Sequence, residues 1–207
     1  MKAKVLVGIY LLLSMVSCYS RYQKEEGKWV WVSNHPDTGK RTTHLGNHDL
    51  ESFAVLENGK YARDNQSVFY IGKTIEEADP NSFEVINDNG YSRDDNHVYF
   101  EDEKIIFANP TTFQYLEFPY SKDDNHIFCG TLPMNLSKKE VTEFKVTNTD
   151  QLMTGSKSRI KLSHFIRLHP EYKWLDILDI AHITLGEWGT GETSERKFKG
   201  FREIPQE

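Results

Sequence analysis

Apolar and polar positions recur along this chain with a period of about thirty residues. Four phenylalanines stand 30, 30 and 31 residues apart: Phe53, Phe83, Phe113 and Phe144. An apolar residue precedes each phenylalanine by eight positions, and another follows it by two. Such a period is typical of an array of one small supersecondary unit, in which each copy buries its apolar face against its neighbours.

A second recurring segment lies between the phenylalanines, at 61–70, 91–100 and 120–129. Each copy begins with a tyrosine, has an Asp/Asn turn in its middle and ends in an apolar triplet. The Asn89-Gly90 dipeptide before the second copy predicts a hairpin, because both residues tolerate positive φ. Proline at position 80 interrupts strand pairing between units. Each unit is therefore predicted to be a meander of three short antiparallel strands.

Alternation with period two assigns a face to each side chain of these strands. Phe83 and Val85 share the predicted core face, whereas Glu84 between them faces water. Two further rows share a face and form a candidate binding surface: Tyr61, Arg63, Tyr91, Arg93, Tyr120 and Lys122. We favour a packed tyrosine ladder with the cations stacked on rings or paired across strands. An exposed aromatic and cationic groove for a glycan or peptide is the alternative.

The recurring segments resemble the units of the DKNYY family of bacterial repeats. The matching positions are Tyr91, Arg93, Asp94, Asn96, Val98, Tyr99 and Phe100, together with Asp79-Pro80-Asn81-Ser82-Phe83. The likeness covers about residues 45–147. It implies an envelope-associated or secreted protein, and it implies no particular reaction.

The segments that flank the repeats predict an atypical first unit and a C-terminal cap. Strands at 28–32 and 40–45 form a hairpin that looks like a degenerate starting unit. Residues 159–168 favour a strand pair, and apolar spacing over 171–185 favours a capping helix that begins after Pro170. A strand in the same region is the alternative, and the glycine-rich stretch that follows is expected to be a flexible tail.

The fold class that follows is all-β, with antiparallel hairpin and meander repeats in an extended array and a C-terminal capping helix. The predicted divisions are a signal peptide at 1–17, a lipidated cysteine and tether at 18–27, a repeat domain at 28–158, and a cap with a flexible tail at 159–207.

The amino terminus has the character of a bacterial export signal. Two lysines precede an apolar run of about a dozen residues, which is too short to span a bilayer. The tetrapeptide that ends at Cys18 resembles a lipobox, which implies lipidation of Cys18 and a membrane anchor. Tyr19 follows in place of an aspartate that would retain the protein in the inner membrane, so we expect an outer-membrane lipoprotein. A secreted or periplasmic protein is the alternative.

Charge and cysteine count exclude several classes of protein. Removal of residues 1–17 leaves 23 lysines and arginines against 31 aspartates and glutamates, a net charge of −8. An acidic chain without a basic tract is a poor nucleic-acid binder. The only cysteines are Cys18 and Cys129, so no disulfide framework exists. Cys129 replaces an aromatic residue of the other copies and is interpreted as a small apolar filler.

The sequence indicates no catalytic residue, no metal site and no cofactor. Histidines are scattered, and none of their spacings supplies a third zinc ligand. Three aspartates recur at the second turn, and we expect Asp64, Asp94 and Asp123 to cap turns. A twelve-residue calcium loop with a terminal glutamate is absent from the sequence. Without a recognisable nucleophile frame or acid pair, the chain is not expected to be an enzyme.

The function expected from these observations is that of a non-catalytic, surface-tethered envelope lipoprotein that binds or spaces a ligand. The expected partners are the membrane, through the lipid on Cys18, and a protein or glycan at the cell surface. Two alternatives stay open: an immunity-type protein that neutralises a toxin, and a calcium-binding or glycan-binding module.

Overall fold

The computed structural model describes residues 19–148 and 157–205. The strands in these ranges are β1 Tyr19–Glu25, β2 Lys28–His35, β3 Gly39–His44, β4 Ala54–Val55, β5 Tyr61–Arg63, β6 Val68–Tyr70, β7 Lys73–Thr74, β8 Glu84–Val85, β9 Tyr91–Arg93, β10 Val98–Phe100, β11 Glu103–Lys104, β12 Gln114–Glu117, β13 Tyr120–Lys122, β14 Ile127–Cys129, β15 Leu132–Pro133, β16 Lys145–Asn148, β17 Lys157–Lys161, β18 His182–Gly186, β19 Thr190–Glu192, β20 Lys197–Lys199 and β21 Arg202–Ile204. The helices are α1 Lys138–Glu143, α2 Leu162–Leu168 and a 3-10 helix at Pro170–Ile177. The all-β prediction is confirmed, and a C-terminal helix is present.

The described part of the chain begins with a three-stranded antiparallel sheet, β1-β2-β3. The sequence predicts a tether at 18–27, whereas β1 pairs with β2 over its whole length, from Tyr19 opposite Asn34 to Glu25 opposite Lys28. Tyr22 explains the difference, because its ring is buried against Trp31 with the centroids 5.0 Å apart. The predicted signal peptide and Cys18 lie outside the described residues.

Three units follow, which we call repeat 1 (β4–β7), repeat 2 (β8–β11) and repeat 3 (β12–β15). Each is a four-stranded antiparallel meander, with one strand more than the sequence predicts. The extra strand forms because a residue of positive φ turns the chain back after the apolar triplet. That residue is Ile71 at 45°, Glu101 at 58° and Gly130 at 63°, a conformation that is uncommon outside glycine.

The repeats stack in chain order, and each apolar core is shared by consecutive units. In β10, Val98 and Phe100 pack towards repeat 3, whereas Tyr99 packs back onto repeat 1. Each of these sheets is therefore covered on both faces. Phe83 is 6% exposed and Glu84 is exposed, as predicted. The first copy of the stripe is more open, since Val55 is 40% exposed.

A fourth copy of the unit, repeat 4, consists of β16 and β19–β21 in the order β16-β19-β20-β21. Residues 149–189 separate its first two strands, and we call this segment the insertion. The sequence predicts a flexible tail from residue 186, whereas β19–β21 form three strands of a sheet. Phe198 explains why this segment is folded into the sheet. Its ring is 3% exposed, and its centre lies 6.2 Å from that of the Phe144 ring.

The insertion differs from the predicted strand pair and long helix. Its described part is the hairpin β17–β18, with α2 and the 3-10 helix between the two strands. The expected helix over 171–185 ends at Ile177 as a 3-10 helix, and His182–Gly186 is a strand. Ile183 is fully buried opposite Ile160, so pairing with β17 prevails over the helical spacing of these apolar residues.

Strand β18 lies against the turn residues of repeats 3 and 4. Thr131 N donates to Thr184 O at 2.8 Å, and a Cβ on Gly130 would overlap that same oxygen. A Cβ on Gly200 would lie 2.7 Å from Gly186 O. Glycine is therefore required at both turns. Within the two described ranges, no helix is long and apolar enough to cross a bilayer.

Candidate functional site

The tyrosines of the predicted binding surface lie inside the stack. Tyr61, Tyr91 and Tyr120 are fully buried. The hydroxyl of Tyr61 donates to Gly90 O of the next repeat at 2.7 Å. The hydroxyl of Tyr120, with its single proton, lies within donating distance of both Gly189 O (3.1 Å) and Gly200 O (2.9 Å). Each of these two side chains therefore links one repeat to the next and is inaccessible to a ligand.

The cations of that surface are half-buried beside the linkers between repeats. Arg63 donates to Pro80 O at 2.6 Å, and Arg93 donates to Pro110 O at 2.9 Å. Arg93 also pairs with Glu84 across the sheet. Lys122 holds the same position in repeat 3. The structure thus does not bring these six residues together in one open groove.

The recurrent aspartates hold the second turn of each repeat. Asp94 is 3% exposed, and its Oδ1 accepts from Asn96 N at 2.8 Å and His97 N at 2.6 Å. Its Oδ2 accepts from Asp79 N at 3.0 Å and from the Tyr99 hydroxyl at 2.8 Å. Asp64 and Asp123 make the same three backbone contacts in their own repeats. These carboxylates cap turns, as predicted, and anchor each preceding linker.

The histidines do not converge with other potential metal ligands. His48 Nε2 accepts from Trp29 N at 3.3 Å, and its Nδ1 lies 2.8 Å from Gly46 O. His97 Nε2 lies 3.9 Å from a Glu77 carboxylate oxygen. Among residues 19–148 and 157–205, no group of three histidine, cysteine, aspartate or glutamate side chains has a geometry that suits a metal ion.

Cys129 is a core residue of repeat 3. Its side chain is fully buried, and its thiol donates to Gly186 O at 3.4 Å. Burial raises the pKa of this thiol to about 12. Since the thiolate is the reactive form, Cys129 is not suited to act as a nucleophile.

Two open clefts lie where the insertion packs on repeat 4. The Trp188 cleft, about 420 Å³, separates the hairpin β17–β18 from strands β20 and β21. Its lining includes Ile160, Leu185, Trp188, Lys199, Phe201 and Arg202. The Tyr172 cleft, about 390 Å³, lies beside the 3-10 helix. Its lining includes His169, Glu171, Tyr172, Arg196, Arg202 and Glu203. Phe201 and Arg202 line both clefts.

Apart from Arg202, which it shares with the Trp188 cleft, the charged groups of the Tyr172 cleft are already engaged in ion pairs. Arg196 Nε lies 2.6 Å from Glu140 Oε1, and Nη1 lies 3.4 Å from Glu203 Oε2. The Arg196 contact, followed by Ser137, lowers the pKa of Glu140 to about 2 in spite of its burial. His169 Nδ1 lies 3.4 Å from Glu171 Oε1. This cleft therefore has few groups left for a ligand.

The Trp188 cleft has cations without ion pairs. Lys199 and Arg202 are exposed, and within the described ranges neither lies within salt-bridge distance of a carboxylate. The Nζ of Lys199 lies 4.2 Å from the centre of the Trp188 ring. These residues are not predicted from the sequence, because the glycine-rich segment that contains Trp188 favours a flexible tail. The alternation in Lys197-Phe198-Lys199 before a glycine was the available signal.

A larger hollow, about 610 Å³, lies between the first sheet and repeat 1. The Tyr22 hydroxyl in its lining is used within the fold, since it donates to Lys60 O at 3.2 Å. Lys60 Nζ in turn donates to Asp88 O at 2.7 Å. The Trp188 cleft is therefore the better candidate for a binding site.

Comparison with known proteins agrees with the repeat architecture. The sequence model of the DKNYY family matches residues 6–103 and 61–166, which together cover more than half of the chain. The chain belongs to the DKNYY family. No curated protein and no solved structure matches it.

Proposed function

We propose that this DKNYY repeat protein is exported, lipidated at Cys18 and held at the cell envelope, where its folded part is a non-catalytic binding module. The lipid tether is supported by the lipobox-like tetrapeptide Met15-Val16-Ser17-Cys18. Strand β1 starts at the very next residue, Tyr19. Acyl chains on Cys18 would hold the first sheet against the membrane surface, because no spacer separates the two.

The recurrent polar residues form hydrogen bonds within the fold, which supports a binding role without catalysis. Asp94 and Tyr61 both use their side chains in hydrogen bonds that hold the stack together. Residues that serve the fold in this way are not free to act on a substrate. The surface that departs from the repeat pattern lies in the insertion and repeat 4, and we assign ligand binding to that end of the chain.

Metabolic labelling with radioactive palmitate in a bacterial host tests the anchor. The full chain should incorporate label, and Cys18→Ala should lose it and accumulate as the unprocessed precursor. Cys129→Ala is the matched control, since it removes the only other cysteine. It should keep the label. Label that persists in Cys18→Ala, or that is absent from the unaltered protein, would refute lipidation at this residue.

Separation of inner and outer membranes tests the location. We expect the protein in the outer-membrane fraction, because no aspartate follows Cys18. Tyr19→Asp should move it to the inner membrane, whereas Tyr19→Asn should not. Identical fractionation of all three proteins in the inner membrane would overturn the outer-membrane assignment.

A further inference from the structure

Two like charges face each other in the last sheet of the protein. Lys199 on β20 is paired directly with Arg202 on β21. Such an arrangement destabilises a sheet, because directly opposite side chains lie about 5 Å apart. Within residues 19–148 and 157–205, no carboxylate forms a salt bridge with either cation. Other described cations, Lys197 among them, also form no salt bridge, so the distinctive feature is that two such cations stand directly opposite each other in a chain with an excess of six negative charges.

The two cations stand at the rim of a cleft whose walls are partly apolar. Leu185 and Phe201 are buried, at 7% and 8% exposure, and Trp188 is half-buried. The wall formed by β18 lies against the turn at Gly200, where a Cβ would lie 2.7 Å from Gly186 O. This contact fixes the two walls relative to each other. The cleft thus combines a preformed apolar surface with two adjacent cationic donors.

We infer that the Trp188 cleft binds an acidic saccharide, an inference that rests on the proposed binding function. The carboxylate of a uronic acid unit is held by Lys199 and Arg202, as charge-assisted hydrogen bonds favour. The apolar face of the sugar ring packs against the indole of Trp188, which a flat, half-buried aromatic ring permits. The ammonium of Lys199, now 4.2 Å from the ring centre, turns from the indole to the carboxylate.

The surroundings of the cleft argue for this ligand over others. A free phosphate would use the two cations but leave the apolar wall exposed to water. A neutral saccharide would use the wall but leave the like charges unneutralised. Glu187 also lines the cleft. Its carboxylate accepts from the Ser158 hydroxyl, and we expect it to restrict the ligand to one acidic group near the cations.

Calorimetric titration of the full chain in detergent tests this site, with trigalacturonate as the acidic probe and maltotriose as its neutral counterpart. Trigalacturonate should bind, and maltotriose should not bind under the same conditions. Arg202→Gln and Trp188→Ala should each weaken trigalacturonate binding by about tenfold or more. Binding should also weaken as salt is raised, because the cations are exposed.

Lys197→Gln is the matched control, because Lys197 lies two residues from Lys199 on the same face of β20 and opposite Ile204. It should bind trigalacturonate like the unaltered protein. Lys199→Glu provides a sharper test, since it creates an ion pair with Arg202. It should raise the urea midpoint of unfolding and abolish trigalacturonate binding. That combination separates a functional role from loss of the fold, because the variant is more stable and yet inactive.

Three outcomes would overturn the inference. Equal affinity for trigalacturonate and maltotriose would refute the role of the cations. Equal loss in Lys197→Gln and Arg202→Gln would indicate nonspecific attraction to charge. Full competition by inorganic phosphate at the concentration of the saccharide would show that the ring makes no contribution. Absence of trigalacturonate binding in a chain that still incorporates palmitate through Cys18 would refute this ligand and leave the envelope tether intact.

Discussion

Replacement of Asp94 by asparagine tests the account of how each repeat is held together. The change preserves the shape of the side chain and the Oδ1 acceptor for Asn96 N and His97 N. It places an NH2 group where Oδ2 now accepts from Asp79 N at 3.0 Å. One charge-assisted hydrogen bond, worth about 1.5–3 kcal/mol, is lost, and a buried N–H group stays unpaired at a cost of about 1–3 kcal/mol. Because the Tyr99 hydroxyl can turn to accept from the new NH2 group, we expect a net loss of about 3 kcal/mol.

Urea denaturation at neutral pH, monitored through tryptophan fluorescence, measures this loss of unfolding free energy. Asp95→Asn is the matched control, because Asp95 is the exposed neighbour of Asp94 in the same turn and its replacement should cost less than about 0.5 kcal/mol. Tyr99→Phe introduces the residue that repeats 1 and 3 have at this position, and it should cost about 1 kcal/mol through the lost hydroxyl. Equal unfolding free energies for Asp94→Asn and Asp95→Asn would refute the anchoring role.

The same carboxylate predicts a pH dependence. Burial alone would raise the pKa of Asp94, but the donors Asp79 N, Asn96 N and the Tyr99 hydroxyl lower it below its ordinary value. A group with a lowered pKa in the folded state stabilises the protein above its unfolded pKa, about 3.9, and loses this effect as the pH falls. The difference in unfolding free energy between the unaltered protein and Asp94→Asn should therefore be full at pH 7 and shrink below about pH 4. A difference that grows in acid would contradict this reasoning.

Three further predictions follow from the insertion and the core. Gly130→Ala should cost at least about 3 kcal/mol in a urea melt, because its Cβ would overlap Thr184 O. Gly59→Ala, also at positive φ but with open space around it, should cost only about 1 kcal/mol, and equal costs would refute the close contact. Glu140→Gln should lower the free energy of unfolding by about 2 kcal/mol at pH 7. This loss should diminish as the pH falls from 4.5 towards 2, the lowered pKa of the Glu140 carboxyl. A loss independent of pH would count against the ion pair with Arg196. Cys129 should react with a thiol reagent only in denaturant, since it is fully buried, and rapid labelling of the native protein would show that the core is open.

The sequence was sufficient to predict the stacked repeats because their signals are local and recur. The alternation around Phe83 and Val85, the turn at Asn89-Gly90 and the aspartate at position 94 each carry a physical reason for their place. These three independent signals share one register and are compatible with a single arrangement of strands 1 to 3 of each unit. The structure contains that arrangement. The fourth strand of each meander was missed because it is only two residues long, as at Glu103–Lys104.

The period predicts the start of repeat 4 at Phe144, but strands β19–β21 are not predicted, because the insertion separates them from β16 and their key residues differ from those of the other repeats. Thr193 stands where the other repeats have the turn aspartate, and its hydroxyl accepts from Glu195 N at 3.3 Å and Arg196 N at 3.0 Å. The contact between turn and linker also has the opposite direction. In repeat 2 the linker residue Asp79 donates to Asp94 in the turn, whereas in repeat 4 Arg196 in the turn donates to Glu140 on the linker helix α1. The same geometry is thus built by different residues, and a pattern based on residue identity does not detect it.

The candidate site could not be predicted for a related reason. In this stack the recurrent polar side chains form the turns of each repeat and the contacts between repeats. A polar residue that recurs is therefore needed by the fold. A ligand site must then lie where a unit departs from the pattern. Here the departure is the strand β18, which requires glycine at 130 and 200, whereas repeats 1 and 2 have Ile71 and Glu101 at this turn. These glycines admit β18, and Trp188, two residues beyond the end of β18, lies beside Lys199, so the proposed binding surface is formed where the repeat is interrupted.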